Sequence, residues 1–194
     1  MSNIVIIDYG AGNVHSVQFS LERLGYKATL SADAQTIGAA DKVIFPGVGH
    51  AKSAMQALHK AGLDELIPNL EQPVFGICLG QQLLCRHSAE SDTDCLNIIP
   101  LEVEAFDTSL KVPHMGWNQI TGLSGPLFRN VDEGSNVYFV HSYYVTQSEV
   151  TTATCDYGTP FSAALQYKNF YACQFHPEKS GPVGQQIMKN FLEL

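Results

Sequence analysis

The sequence predicts an α/β fold, a mostly parallel central sheet flanked by helices, with additional antiparallel strands in the C-terminal half. Three observations carry this. Apolar runs such as Ile4–Ile7 and Val74–Ile77 are continuous rather than alternating, as in strands buried on both faces. Segments with helical spacing follow several of them. The later half is richer in short strands, part of which is expected to be antiparallel.

Taken in order, Ile4–Ile7 is a β-branched strand ending at Asp8, and Gly10–Asn13 supplies a turn. Val14, Val17, Leu21 and Leu24 recur on one face of a helix over Val14–Leu24, with Gly25 as its stop signal. Lys27–Leu30 reads as a second strand and Lys42–Phe45 as a third, cut by Pro46-Gly47. Lys52–Ala61 reads as a helix closed by Gly62, Val74–Ile77 as a strand and Gln81–His87 as a helix. Short strands are expected at Leu101–Phe106, Val137–Val140, Thr151–Cys155, Ala163–Gln166 and Tyr171–Phe175, and a last helix at about Val183–Leu194. No repeat or linker interrupts the chain, so residues 1–194 are expected to form one domain.

Composition narrows the function. A chain of 194 residues buries enough surface to fold without disulfides or metals. Eleven Lys and Arg against nineteen Asp and Glu leave a net charge of −8, which disfavours nucleic acid and membrane surfaces as partners. No apolar stretch is long enough for a transmembrane helix, and Met1-Ser2-Asn3 does not open a signal peptide. Five cysteines, an odd number without CxxC pairs or zinc-site spacing, suggest free thiols in a reducing, cytoplasmic compartment and no metal or other cofactor. At least one thiol is then free for chemistry.

The strongest local signal is Gly76-Ile77-Cys78-Leu79-Gly80, between a buried strand and a helix. This is the elbow pattern that projects a nucleophile from a tight turn, here with Cys78 in the reactive position. A helix N-terminus behind Cys78 would stabilise a thiolate, and the N–H of Leu79 would face an oxyanion. Such a thiol needs a base, and the base needs an orienting group. Seven histidines compete. His176 stands out because it ends a strand and precedes Pro177-Glu178; before a proline the chain is extended, which would put Glu178 on the His176 side. His141 ends a strand without a carboxylate at matching spacing, His50 and His114 fall in loops, and His15, His59 and His87 fall on predicted helices. The residues alone leave the base open among them. Pro46-Gly47-Val48-Gly49 after the third strand could give a second oxyanion donor, or be an ordinary turn. Gly10-Ala11-Gly12 matches a dinucleotide fingerprint only in part, because His15 stands at the third glycine position.

Together these segments resemble the class I (triad) glutamine amidotransferases. The resemblance runs nearly end to end, through Asp8-Tyr9-Gly10-Ala11-Gly12-Asn13, Pro46–Gly49, Gly76–Gly80, Val112-Pro113-His114-Met115-Gly116-Trp117-Asn118, His141-Ser142-Tyr143 and Gln174-Phe175-His176-Pro177-Glu178-Lys179-Ser180. The first and fourth of these point to a branch of the family that works in histidine biosynthesis. The resemblance implies that Cys78 attacks the glutamine side-chain amide, that His176 shuttles the proton and that Glu178 orients His176. It also implies oxyanion N–H groups from Val48, Gly49 and Leu79, and a glutamine pocket formed by Gly47, Gln82, Glu90, Ser142 and Tyr143. Gln81 departs from the pattern, since many relatives carry Met there.

The same resemblance implies a partner, a cyclase subunit with a (β/α)-barrel fold. It would use the ammonia to make imidazole glycerol phosphate and an aminoimidazole carboxamide ribotide. Asn13, Trp117, Asn118 and Lys179 are expected on the partner-facing surface, Trp being enriched at interfaces; the alternative is ordinary polar surface with Trp117 in the core. The motifs extend from Asp8 to Ser180, so the chemistry that consumes ammonia is expected on another chain. Two alternatives stay open, a related cyclase-like partner in surface sugar biosynthesis and a non-catalytic binding module that has kept the fold.

Overall fold

The computed structural model describes residues 2–10, 13–107 and 109–194. Along the chain run β1 (Ile4–Ile7), α1 (Val14–Arg23), β2 (Ala28–Ser31), α2 (Ala34–Gly38), β3 (Lys42–Gly47), α3 (Ala51–Lys60) and α4 (Leu63–Leu66). Next come β4 (Val74–Cys78), α5 (Leu79–Leu84), β5 (Cys85–Ser88), β6 (Thr93–Asp94) and β7 (Ile99–Ala105). The C-terminal half adds β8 (His114–Ile120), β9 (Ser135–His141), β10 (Tyr143–Val145), β11 (Thr151–Asp156), β12 (Pro160–Tyr167), β13 (Phe170–Cys173) and α6 (Gly181–Leu192).

The central sheet has seven strands in the order β11-β12-β13-β4-β3-β1-β2. From β13 to β2 all neighbours are parallel, and β12 and β11 add an antiparallel edge. A second sheet, β10-β7-β5-β6, and the hairpin β8-β9 come from the middle of the chain.

The continuous apolar strands are explained by burial on both faces. Ile4 and Ile6 point to one face, packing with Val17 and Leu21 of α1 and with Ile187 and Phe191 of α6. Val5 and Ile7 point to the other, packing with Ala54 and Leu58 of α3 and with Leu83 of α5. Period-2 alternation thus feeds two cores rather than one core and solvent.

Several expected boundaries move, each for a tertiary reason. Strand β3 is not cut by Pro46-Gly47 but runs through both residues, paired with Ile77 and Cys78 of β4. Its register with β1 ends at Ile44, so the missing Pro46 N–H breaks no ladder bond on that side. The helix expected over Gln81–His87 begins at Leu79 and ends at Leu84, because Cys85–Ser88 pairs with β7 and β6 instead. His87 is therefore on a strand, beside Asp92 and Glu102. His114 is not in a loop: it opens β8 and is buried. The strand expected at Tyr171–Phe175 stops at Cys173, and helices α2 and α4 and strands β6, β8 and β10 lie where the sequence predicts no element. The Gly10–Asn13 turn lies partly outside the described residues, since Ala11 and Gly12 are among those not described.

Candidate active site

The parallel register brings the site together. β13 lies beside β4 with Cys173 opposite Ile77, and β3 lies on the other side of β4 with Gly47 opposite Cys78. The carboxyl ends of three strands distant in sequence thus open onto one place, as is usual for ligand sites on open α/β sheets.

Cys78 sits at the turn from β4 into α5 with φ 57° and ψ −111°. A non-glycine residue in that region costs about 1–3 kcal/mol and survives only where the surroundings impose it. Its neighbours do impose it. A Cβ on Gly80 would overlap the Phe45 carbonyl oxygen, and one on Gly76 would lie 2.9 Å from Leu84 Cδ1. Only glycine at both positions lets α5 press against β3 and turn the Cys78 side chain outward.

His176 lies three residues beyond β13, held by its N–H donating to the Tyr138 carbonyl at 2.9 Å. It is 1% exposed, and its Nδ1 donates to Glu178 Oε1 at 2.8 Å. The residue before Pro177 is extended as expected, but Glu178 is not: Pro177–Lys179 forms a 3-10 turn, and that turn brings the carboxylate back under the ring. With Nδ1 engaged, the buried Nε2 has no partner among the described residues. His176 and Cys78 line the same cavity. Burial opposes charge on the imidazole, but the Cys78 sulfur and the Glu178 carboxylate outweigh it and raise the pKa to about 10. Asn13 reaches the same carboxylate, its Nδ2 lying 3.4 Å from Glu178 Oε1, so this residue belongs to the support of the site as well as to the surface.

The cavity in front of Cys78 measures about 330 Å³, within the range of small-molecule sites. Val48, Gly49, Leu79, Gln82, Glu90, Ser142 and Tyr143 all line it. Gly47 does not. It packs behind the elbow, where a Cβ would come within 2.7 Å of the Gly80 nitrogen. Gln81 is also turned away: it is fully buried and its Nε2 donates to the Ser162 carbonyl at 3.1 Å. The arrangement offers a thiol, a buried imidazole–carboxylate pair and a separate carboxylate, Glu90, which accepts from the Ala51 N–H at 2.6 Å. These are the parts of a cysteine-dependent acyl transfer.

The model of the family "Glutamine amidotransferase class-I" matches residues 5–194. The chain belongs to this family. It is 54% identical over 194 residues to imidazole glycerol phosphate synthase subunit HisH of Bacteroides thetaiotaomicron, covering 98% of this chain and 99% of that one. It is 48% identical over 195 residues to the HisH subunit of Pasteurella multocida, covering 100% of this chain and 98% of that one. Among solved structures, PurLQS from Thermotoga maritima shares the fold with a TM-score of 0.75 at 16% identity, covering 100% of this chain and 99% of that one.

The amidotransferase cavity also has lining residues that the motifs did not single out for it, namely Pro113, Val140 and His141. The signal that could have found them was His141 itself, a polar residue closing an apolar strand. Its Nδ1 donates to the Tyr143 carbonyl at 2.7 Å, which leaves Nε2 to accept from His114 Nδ1 at 3.0 Å. Asn118 completes this chain, with its Nδ2 at 3.4 Å from His114 Nε2 and donating at 3.0 Å to the Asp156 carbonyl. Neighbours on a strand face opposite ways, so Trp117 is 57% exposed while half-buried Asn118 turns its amide to His114 and Asp156. Lys179 is exposed.

Burial drives His114 down to about 4 and His141 to about 3, from an ordinary 6.5. Both rings therefore stay neutral in the fold, whereas the unfolded chain takes up two protons below about 6.5. Stability from the neutral pair is complete above 6.5 and falls as the pH drops towards 4. His176 acts in the opposite sense, its contribution present below 6.5 and lost as the pH rises through about 10. The urea midpoint should fall between pH 7 and pH 4.5, and His114→Gln should flatten that fall. An unchanged slope in the variant would remove His114 from the account.

Proposed function

We propose that this amidotransferase binds glutamine in the cavity before Cys78 and hydrolyses its side-chain amide through a thioester. The observation that carries the reading is the buried His176–Glu178 pair, with His176 lining the same cavity as a strained Cys78. The Cys78 thiolate attacks the amide carbon. Its oxyanion is met by the Leu79 N–H and by N–H groups of the Val48–Gly49 turn. The carbon–nitrogen bond then breaks as the His176 imidazolium gives its Nε2 proton to the departing nitrogen, which leaves as ammonia. Water attacks the thioester, His176 takes its proton, and glutamate leaves with the thiolate restored. Glu178 holds the imidazole in one orientation throughout. Gln82, Ser142 and Tyr143 shape the cavity around the substrate.

The HisH relatives are, by name, subunits of imidazole glycerol phosphate synthase. On that ground the ammonia of this chain serves the same synthase reaction in histidine biosynthesis. The acceptor chemistry lies on a cyclase subunit, for which we infer a (β/α)-barrel fold. Exposed apolar side chains support a docking face near the cavity: Val48 at its rim, and Val112, Met115 and Trp117 along and just before β8. Asn13 and Lys179 belong to the same inferred interface. We further infer that residues 1–194 act as one domain and that the protein works in the cytoplasm; no helix among the described residues is long and apolar enough to cross a membrane.

The test is glutamine turnover measured with the cyclase partner and its acceptor ligand present, together with rescue of a histidine auxotroph. Glu90 supplies a sharper check. Its carboxylate is the group in the cavity suited to the substrate α-ammonium, so Glu90→Gln should raise KM about tenfold with kcat nearly unchanged. Unchanged KM would place the ammonium elsewhere.

A further inference from the structure

Gln174 lies in the segment before His176, is fully buried, and has no part in the acyl transfer described above. Its Nε2 sits 3.8 Å from Cys78 Sγ, within reach of an N–H···S hydrogen bond. An amide can present either its oxygen or its nitrogen, and here the choice is made by its neighbours. Gln82 Nε2 donates to the Tyr143 carbonyl at 3.0 Å and to Gln174 Oε1 at 2.9 Å. The Tyr143 backbone carbonyl can only accept, so the Gln82 amide has one orientation. That orientation obliges Gln174 to turn its oxygen to Gln82 and its NH₂ group to the sulfur. The Tyr143 carbonyl is itself held by His141 Nδ1 at 2.7 Å, so the chain of dipoles is anchored at its far end.

Besides His176, which lines the same cavity, the Val140 carbonyl oxygen lies 3.9 Å from the sulfur, where it can accept from a thiol but repels a thiolate. The two contacts therefore select opposite forms of Cys78. We propose that Gln174 is a catalytic residue of this site: its side-chain N–H donates to the Cys78 thiolate, steadies the attacking sulfur, and receives it again when the thioester is hydrolysed. Gln82 and the Tyr143 carbonyl are positioning groups that fix the direction of that donor. The inference rests on the reading of Cys78 as the nucleophile.

The test is Gln174→Met, which keeps the length of the side chain and removes the donor. Alkylation of Cys78 by iodoacetamide, followed at that peptide, should be several-fold slower at pH 7 and no slower than wild type at strongly alkaline pH, because the donor that stabilises the thiolate also tempers its nucleophilicity. In the complex with the cyclase subunit, kcat for glutamine should fall about tenfold while KM stays within about twofold. A purely packing role predicts the reverse at the thiol, because loosening the site exposes Cys78 and speeds alkylation at every pH. Alkylation at pH 7 that is unchanged or faster overturns the proposal. Where the variant fails to fold, the wild-type chain decides. The Gln174 side-chain amide proton resonances should move along the same pH titration as Cys78 alkylation, and resonances that stay flat across it overturn the contact. A wild-type chain that alkylates normally but turns over no glutamine counts against the glutaminase reading, and the pH 7 ratio still decides the Gln174 contact.

Discussion

Cys78→Ala should abolish synthesis from glutamine, by roughly four orders of magnitude or more, while synthesis from added ammonium salts continues at the wild-type rate. The asymmetry follows from where the chemistry sits. Alanine removes the sulfur, and the remaining groups of the site, His176 and Glu178, cannot form a thioester. The variant should nonetheless fold, because Cys78 is held by its surroundings rather than holding them: the tight approach of α5 to β3 is made by Gly47, Gly76 and Gly80. Alanine in place of cysteine at φ 57° keeps a Cβ where one already stands, so the strain of the elbow is unchanged. Ammonium-dependent synthesis, measured with the cyclase subunit present, therefore reports the partner's chemistry alone. Loss of both activities would show that this chain does more than supply ammonia.

Gly80→Ala should have the largest effect on the fold of the elbow. The added methyl would overlap the Phe45 carbonyl oxygen, a backbone atom in the middle of the central sheet that cannot swing aside. Overpacking of this kind costs about 1–3 kcal/mol, and for a chain of this size each kcal/mol lowers Tm by roughly 2–4 °C. Activity should fall further than stability, because the relief available is to push the first turn of α5 off β3. That moves the Leu79 N–H and the Cys78 side chain together. Gly38 is the control. It is exposed at the end of α2, its φ is not in the left-handed region, and a Cβ there meets nothing within 4 Å. Gly38→Ala should therefore leave turnover unchanged and raise Tm slightly, through the lower entropy of the unfolded chain. Equal behaviour of the two variants in thermal unfolding and glutamine turnover would contradict the close approach at Gly80.

The site was legible where its chemistry is written locally. The two glycines around Cys78 are both a pattern in the chain and the physical cause of the strained turn, so reading one gave the other. Val48, Gly49 and Leu79 sit in turns the sequence also marks, whereas Gln82, Glu90, Ser142 and Tyr143 came only from the family resemblance; all of them line the cavity. What local reading missed has one common origin, pairing between distant segments. Pro46 looked like a strand breaker because a proline carries no N–H; its place in β3 depends on where the register with β1 happens to end. Cys85–Ser88 looked helical because it continues the spacing of α5; β7, which comes later in the chain, claims it as a strand. Asn118 is half-buried beside exposed Trp117 because β8 assigns alternate residues to opposite faces, a division that the pairing with β9 makes.

The pairing of His176 with Glu178 marks the division most clearly. The residue types and their spacing make His176 with Glu178 a candidate among seven histidines, the family resemblance singles the pair out, and proline chemistry is enough to extend the chain before Pro177. None of these contains the 3-10 turn that folds Glu178 back beneath the imidazole, nor the reason His176 meets Cys78. That meeting is made by the parallel register of β13 on β4, a contact between segments far apart in the chain. Local composition states which side chains are available and which turns they tolerate. Their convergence on one cavity, and the direction in which Gln82 and Gln174 point their amides, depend on hydrogen bonds across distant strands. No window of sequence contains both partners of such a bond.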